Sequence, residues 1–200
     1  MMFRPASPEC ISGVHGKAYL CFFKAYAMNE KHQWQDRIPS DFAAEAKVWV
    51  YQAARTFTVR ELAEINEQLD QFYQQWMSHN RPVKGWAGVF FNQFIVIVAD
   101  DTADRLCGSA VDHSLRVIQS LERQYEVSLL DRMLLGFLVQ DRVELLPLAQ
   151  LPHALAAGKV KEDTLYFNNT VTTKAALLDH WIIPLKDSWL AQRYLTRTGV

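Results

Sequence analysis

The stretch MLLGFLVQDRVELL, Met133 to Leu146, is the one whose reading decides the fold class. Two apolar runs, Met133 to Val139 and Val143 to Leu146, flank the polar Gln140-Asp141-Arg142, which predicts a β-hairpin turning there. A hairpin pairs its strands antiparallel, whereas a regular parallel sheet needs a long crossover between strands. Helical patterns lie on both sides of it. The expected architecture is therefore α+β: a single compact domain with a mixed or antiparallel sheet packed against helices.

Upstream, Lys47 to Gln52 (KVWVYQ) is rich in β-branched and aromatic residues and reads as a strand. Thr58-Val59-Arg60-Glu61 is a capping box, in which hydroxyl and carboxylate satisfy free N–H groups at a helix start. The helix it opens carries Leu62, Ile65, Leu69, Phe72, Tyr73 and Trp76 at steps of three and four, and should end near His79-Asn80. Val89 to Ala99 is expected to be one long central strand. A second helix follows, with Val111, Leu115, Ile118, Leu121 and Tyr125 facing inward.

Downstream of the hairpin, Leu148 to Ala157 reads as a short helix stopped by Gly158. Leu165 to Phe167 reads as a last strand, Thr172 to Trp181 as a helix ended by Pro184, and Trp189 to Tyr194 as a final turn. Residues 1–40 differ in character. Pro5, Pro8, Gly13, Gly16 and Pro39 interrupt any periodicity, so this part is read as an N-terminal extension to a domain spanning 41–200. Met28 is a natural start, which makes residues 1–27 a poorly ordered tail or an upstream addition. The apolar Ala18 to Phe23 is too short for a secretory signal.

Composition narrows the function. The 200 residues are 50% hydrophobic and 22% charged, with a formal net charge of −1. That balance belongs to globular proteins and gives no electrostatic reason to expect nucleic acid or an anionic membrane as partner. Cys10, Cys21 and Cys107 are odd in number and form no CxxC pair, which points to a reducing, cytoplasmic setting and no zinc site. Gly13-Val14-His15-Gly16-Lys17-Ala18 is not a P-loop: its glycines are too close, and Ala18 stands where a hydroxyl would hold magnesium. No cofactor and no metal are expected. Cys107 with His113 lacks an activating constellation, so Cys107 reads as a small buried thiol beside a helix start.

Five pieces of the chain carry a family likeness: VWVYQAAR (Val48 to Arg55), CGSAVDHS (Cys107 to Ser114), LLDRM (Leu129 to Met133), DTLYFNNTVTTKAAL (Asp163 to Leu177) and W-x-x-P-x-x-x-S-W (Trp181 to Trp189). In order and spacing they resemble an uncharacterised bacterial family commonly labelled "ABC transporter ATPase". The resemblance implies a compact single-domain protein of unknown function. It does not imply the label's activity, since the chain has neither a P-loop nor an LSGGQ-type signature. Aligned on Asp112, the cysteine of the family pattern falls at Ser109.

The leading expectation is a ligand- or partner-binding domain that recognises a small molecule or a protein. Its candidate residues are Arg132, Asn168, Asn169, Thr170, Trp181, Trp189 and Asp112, together with Tyr51, Arg55 and Arg193. Asp112 has a structural alternative as part of a cap begun by Ser109. If the strands before Asn168 and after Arg132 are antiparallel neighbours, Arg132, the Asn168-Asn169-Thr170 turn and both tryptophans share one side of the molecule. The alternative is a small metal-independent enzyme using Asp112, His113 or Asp131 as acid or base.

Overall fold

The computed structural model describes residues 34–195. Strands β1 (Lys47–Gln52), β4 (Lys84–Phe90) and β5 (Phe94–Asp100) form one antiparallel sheet in the order β1-β5-β4. Strands β6 (Leu134–Val139), β7 (Arg142–Pro147), β8 (Leu165–Phe167) and β9 (Ile182–Pro184) form a second antiparallel sheet in the order β7-β6-β8-β9. Helices α1 (Val59–Gln74), α2 (Gly108–Tyr125), α3 (Leu151–Ala156), α4 (Lys174–His180) and α5 (Trp189–Tyr194) pack around them. The fold is α+β.

The side-chain period of two in β5 explains the layering. Ile95, Ile97 and Ala99 face α1 and α2, where they meet Ile65, Leu69, Phe72, Ile118 and Leu121. Phe94, Val96 and Val98 face the second sheet, where they meet Leu138, Phe167, Leu177 and Trp181. The far face of the second sheet, with Leu135, Phe137 and Tyr166, is covered by Leu151 and Ala154 of α3 and Leu190 of α5. Two sheets thus stack face to face, each with helices on its outer side.

The hairpin that decided the fold class is present, with Leu138 opposite Val143 and a turn in which Gln140 and Asp141 take φ of 49° and 61°. The expected strand Val89 to Ala99 is instead two strands. The chain reverses at Phe91-Asn92-Gln93, and Phe91 and Asn92 adopt positive φ of 50° and 53°. Phe91 is held in this left-handed conformation, costly for a bulky residue, by ring contacts with Phe94, Phe167 and Trp181. Helix α1 ends at Gln74 rather than near Asn80, because a short hairpin of β2 (Met77–Ser78) and β3 (Arg81–Pro82) follows, turning through His79 and Asn80 at positive φ.

The expected boundary at residue 40 falls inside the fold. Trp34 and Ile38 are buried in the middle layer, and the Trp34 ring meets Trp181 edge-on at 4.9 Å. Lys174 Nζ donates to the carbonyls of Pro39, Ser40 and Phe42 at 2.9, 3.2 and 2.7 Å, and Asp100 Oδ2 accepts from the Ala43 N–H at 3.1 Å. The readings made for residues 1–33, including the tail before Met28, lie outside the described residues.

The capping box of α1 is fully formed. Glu61 N–H donates to Thr58 Oγ1 at 3.3 Å, and Glu61 Oε2 accepts from the Thr58 N–H at 2.7 Å. Arg55 adds a two-pronged pair to the same carboxylate at 2.8 Å on each arm, and reaches the Tyr125 carbonyl at 2.8 Å. Arg55 and the cap hold the Glu61 carboxyl down to about 2. Glu61→Ala is expected to cost about 1 kcal/mol near neutral pH, the usual scale for a lost cap. A depressed carboxyl contributes fully above its unfolded value and loses that contribution as pH falls through its folded value. The gap between wild type and variant in urea melts should therefore be full at pH 6 and close towards pH 2.

Candidate functional site

The sequence-derived residues converge in part. Strand β6 pairs antiparallel with β8, with Phe137 opposite Tyr166, so the start of β6 lies beside the end of β8. At that end a chain of side-chain hydrogen bonds through the buried Gln52 and the half-buried Asn169 joins the two sheets. Trp181 Nε1 donates to Asn169 Oδ1 at 3.0 Å, Asn169 Nδ2 to Gln52 Oε1 at 2.9 Å, and Gln52 Nε2 to the Leu134 carbonyl at 3.0 Å. Gln52 is 5% exposed, and these bonds satisfy both ends of its amide. Gly136 makes room for it: a Cβ there would lie 2.8 Å from Gln52 Oε1.

Asn168 and Thr170 support the turn itself. Thr170 Oγ1 donates to Asn168 Oδ1 at 2.6 Å, while the Asn168 N–H donates to the Trp181 carbonyl at 2.6 Å. Arg132 lies at the rim, two residues before Leu134 and beside Tyr51. Burial pushes the Tyr51 phenol up, and the Arg132 cation opposes that shift. Arg132 is exposed and pairs with no carboxylate among the described residues. Pieces of the chain from β1, the segment before β6, and the β8–α4 connection thus meet at one seam.

Other candidates, Trp189, Asp112 and Arg193, fall elsewhere. Trp189 was expected to share a side with Trp181. It stands 43% exposed at the start of α5, beside the Tyr166 phenol, and Tyr166 points to the outer face of the second sheet. Tyr166 and Phe167 alternate across β8, so the face that receives Trp189 is opposite the face that buries Trp181. Asp112 is exposed on α2, on the far side of the first sheet. Arg193 lies on α5 with its guanidinium 5.5 Å from the Tyr194 ring, also away from the seam.

The acid–base trio does not converge. His113 lies near the start of α2, edge-on to Phe72, in a groove of about 260 Å³ lined also by Gln68, Gln71, Gln75, Val117 and Ser120. No carboxylate lines that groove. Asp131 lies beyond the other end of α2, whose 18 residues span about 27 Å, and its Oδ1 accepts from the Met133 N–H at 2.8 Å. Among the described residues, no group of three His, Cys, Asp or Glu side chains is placed to hold a metal ion, and no helix is long and apolar enough to cross a membrane.

Sequence reading undervalued Cys107. It is the N-cap residue of α2, half-buried rather than buried, so the helix begins before Ser109 and the cap expected from Ser109 does not form. Its Sγ lies 3.1 Å from Ser109 Oγ and accepts from Ser78 Oγ at 3.4 Å. The Ser109 hydroxyl, then the Ser78 hydroxyl, then the N–H groups of Ala110 and His79 hold the thiol down to about 6. The signal lay in Cys-x-Ser opening a long amphipathic helix. Ser78, from the β2–β3 hairpin, had no local signature. No family model, no curated protein and no solved structure matches the chain.

Proposed function

We propose that the chain is a cytosolic ligand- or partner-binding domain without ATPase activity, which binds through the face carrying Tyr51 and Arg132. One observation supports the reading: an exposed guanidinium with no carboxylate partner among the described residues stands at the rim of a seam whose side-chain relay, through the buried Gln52, ties the segments around it. Arg132 has a forked donor to offer, and the relay beneath keeps β1 and β6 from shifting apart. The relay residues Gln52, Asn169 and Trp181 are support, because each spends its polar atoms on another part of the chain.

Two measurements test this. Arg132→Ala is expected to melt within about 2 °C of the wild type, since an exposed side chain that pairs with no carboxylate among the described residues contributes little. Asn169→Ala is expected to lower the midpoint by several degrees, because it strands the Gln52 amide and the Trp181 N–H. Equal melting of the two variants would remove the distinction between rim and support. Calorimetry with ATP and magnesium is expected to show no saturable heat. Micromolar binding would restore the ATPase reading.

A further inference from the structure

The second sheet ends on an edge that no strand of the described chain closes. β7 is its outermost strand and pairs with β6 alone. The Leu148 N–H donates to the Met133 carbonyl at 2.7 Å, one step beyond the pairing of Leu134 with Pro147. Bonded and unbonded residues alternate along an antiparallel strand, so Arg142, Glu144 and Leu146 turn their backbone groups to β6. Val143 and Leu145 turn theirs outward, and neither N–H has a partner among the described residues. Open edges are ordinarily blunted by a bulge, a proline or an inward-pointing charge. Here the register runs without a bulge, Pro147 stands at the last position, and the inward position is the apolar Val143, packed in the middle layer.

The side chains give this edge a preferred partner. Glu144 lies opposite Phe137, so Arg142 and Glu144 share the outer face of the sheet, and both are exposed. Neither forms an ion pair among the described residues. Opposite charges two positions apart make a strand complementary to itself. Turned over about the residue between them, it sets each cation against the other copy's carboxylate.

We propose that β7 pairs antiparallel with β7 of a second copy of this chain, about a twofold axis at Val143, joining two four-stranded sheets edge to edge. The two Val143 residues exchange their N–H to carbonyl bonds. On either side Arg142 stands opposite the partner's Glu144, at the unbonded positions where cross-strand side chains are closest. The neighbouring registers are less favourable. Centring on Glu144 sets that carboxylate against its own copy, and centring on Leu145 sets Val143 against Pro147, which has no N–H to donate. The contact is one strand wide, so the dimer forms and parts with concentration.

The test follows the full chain by sedimentation equilibrium from about 10 µM to about 1 mM, where a reversible monomer–dimer equilibrium is expected. Arg142→Glu and Glu144→Arg should each weaken it at least about tenfold, since each turns two attractive pairs into two repulsive ones. The double variant, Arg142→Glu with Glu144→Arg, should return the affinity to within about threefold of the wild type, because the pairs are restored in reverse. All three variants should melt like the wild type. In the wild type itself, the Val143 amide hydrogen should exchange more slowly as concentration rises, which reads the pairing without any substitution. A monomer throughout the range overturns the proposal, as does a dimer that both single reversals leave unchanged. A double variant no tighter than the singles, or a Val143 amide whose exchange ignores concentration, overturns it equally.

Discussion

Trp181→Ala is expected to be the most damaging single substitution at the seam, costing about 3 to 5 kcal/mol, the range for removing a large buried aromatic. Trp181 is fully buried at the centre of five rings: Trp34, Phe90, Phe91, Phe94 and Phe167, with centroids 4.9 to 5.8 Å away. Its loss opens a cavity between the two sheets and strands Asn169 Oδ1. For a domain of this size the melting midpoint should fall by about 10 °C or more. Trp181→Phe separates the two parts of the effect. It keeps a ring among the aromatics but removes the indole donor, so about 1 to 3 kcal/mol should remain, the cost of an unsatisfied buried acceptor. A fall of less than about 3 °C for the alanine variant would show that the aromatic layer closes over the gap and that the seam does not depend on it.

Cys107 is expected to react as a thiolate with a midpoint near pH 6, set first by the Ser109 hydroxyl. At that pH about half of it is ionised, against roughly 0.3% of an ordinary thiol with a pKa of about 8.5. A thiolate of low pKa is intrinsically the weaker nucleophile, which returns about one of the two orders of magnitude. The net rate with 4,4′-dithiodipyridine should exceed that of a free cysteine by on the order of tenfold at pH 6, with parity near about pH 7.5. The measurement is made in a chain carrying Cys10→Ser and Cys21→Ser, so that one thiol reports. Ser109→Ala should move the midpoint upward. A wild-type midpoint at 8 or above would mean that the two hydroxyls do not donate to the sulfur as their positions imply.

What the residues disclosed in advance follows from how local each determinant is. The capping box at Thr58 and Glu61, the Gln140-Asp141 hairpin and the Gly158 stop each depend on neighbours a few positions away, and they were legible. Val89 to Ala99 was misread because apolar runs on both sides of a turn look like one buried strand. The break at Phe91-Asn92 is stabilised by rings from Phe167 of β8 and from Trp181 just past α4, far along the chain. Arg132 and the Asn169 turn could be placed together from strand order alone. Gln52 could not, because its role needs a second sheet stacked on the first and a glycine at residue 136 to admit it. Trp189 failed for the same reason: whether it joins Trp181 depends on which face of β8 it meets. Cys107 needed Ser78, which arrives through a hairpin that the helix pattern concealed.

The segment from Trp34 to Ala46 also imposes an order of events on a growing chain. It is synthesised before any strand of either sheet, yet its anchors come late. Lys174 holds its carbonyls, the Lys174 and Ala175 N–H groups bond to Ala46 and Ala44, and Trp181 receives the Trp34 ring. These contacts span sequence separations of 132 to 135 residues at the ammonium alone. The first described residues to leave the ribosome are thus among the last to be seated, after α4 has been made and laid against β1. Contacts of such range slow folding, since the loop must close before they repay it. During translation the aromatic face that Trp34 later covers stays open, and this interval is when the nascent chain is most exposed to association with its neighbours.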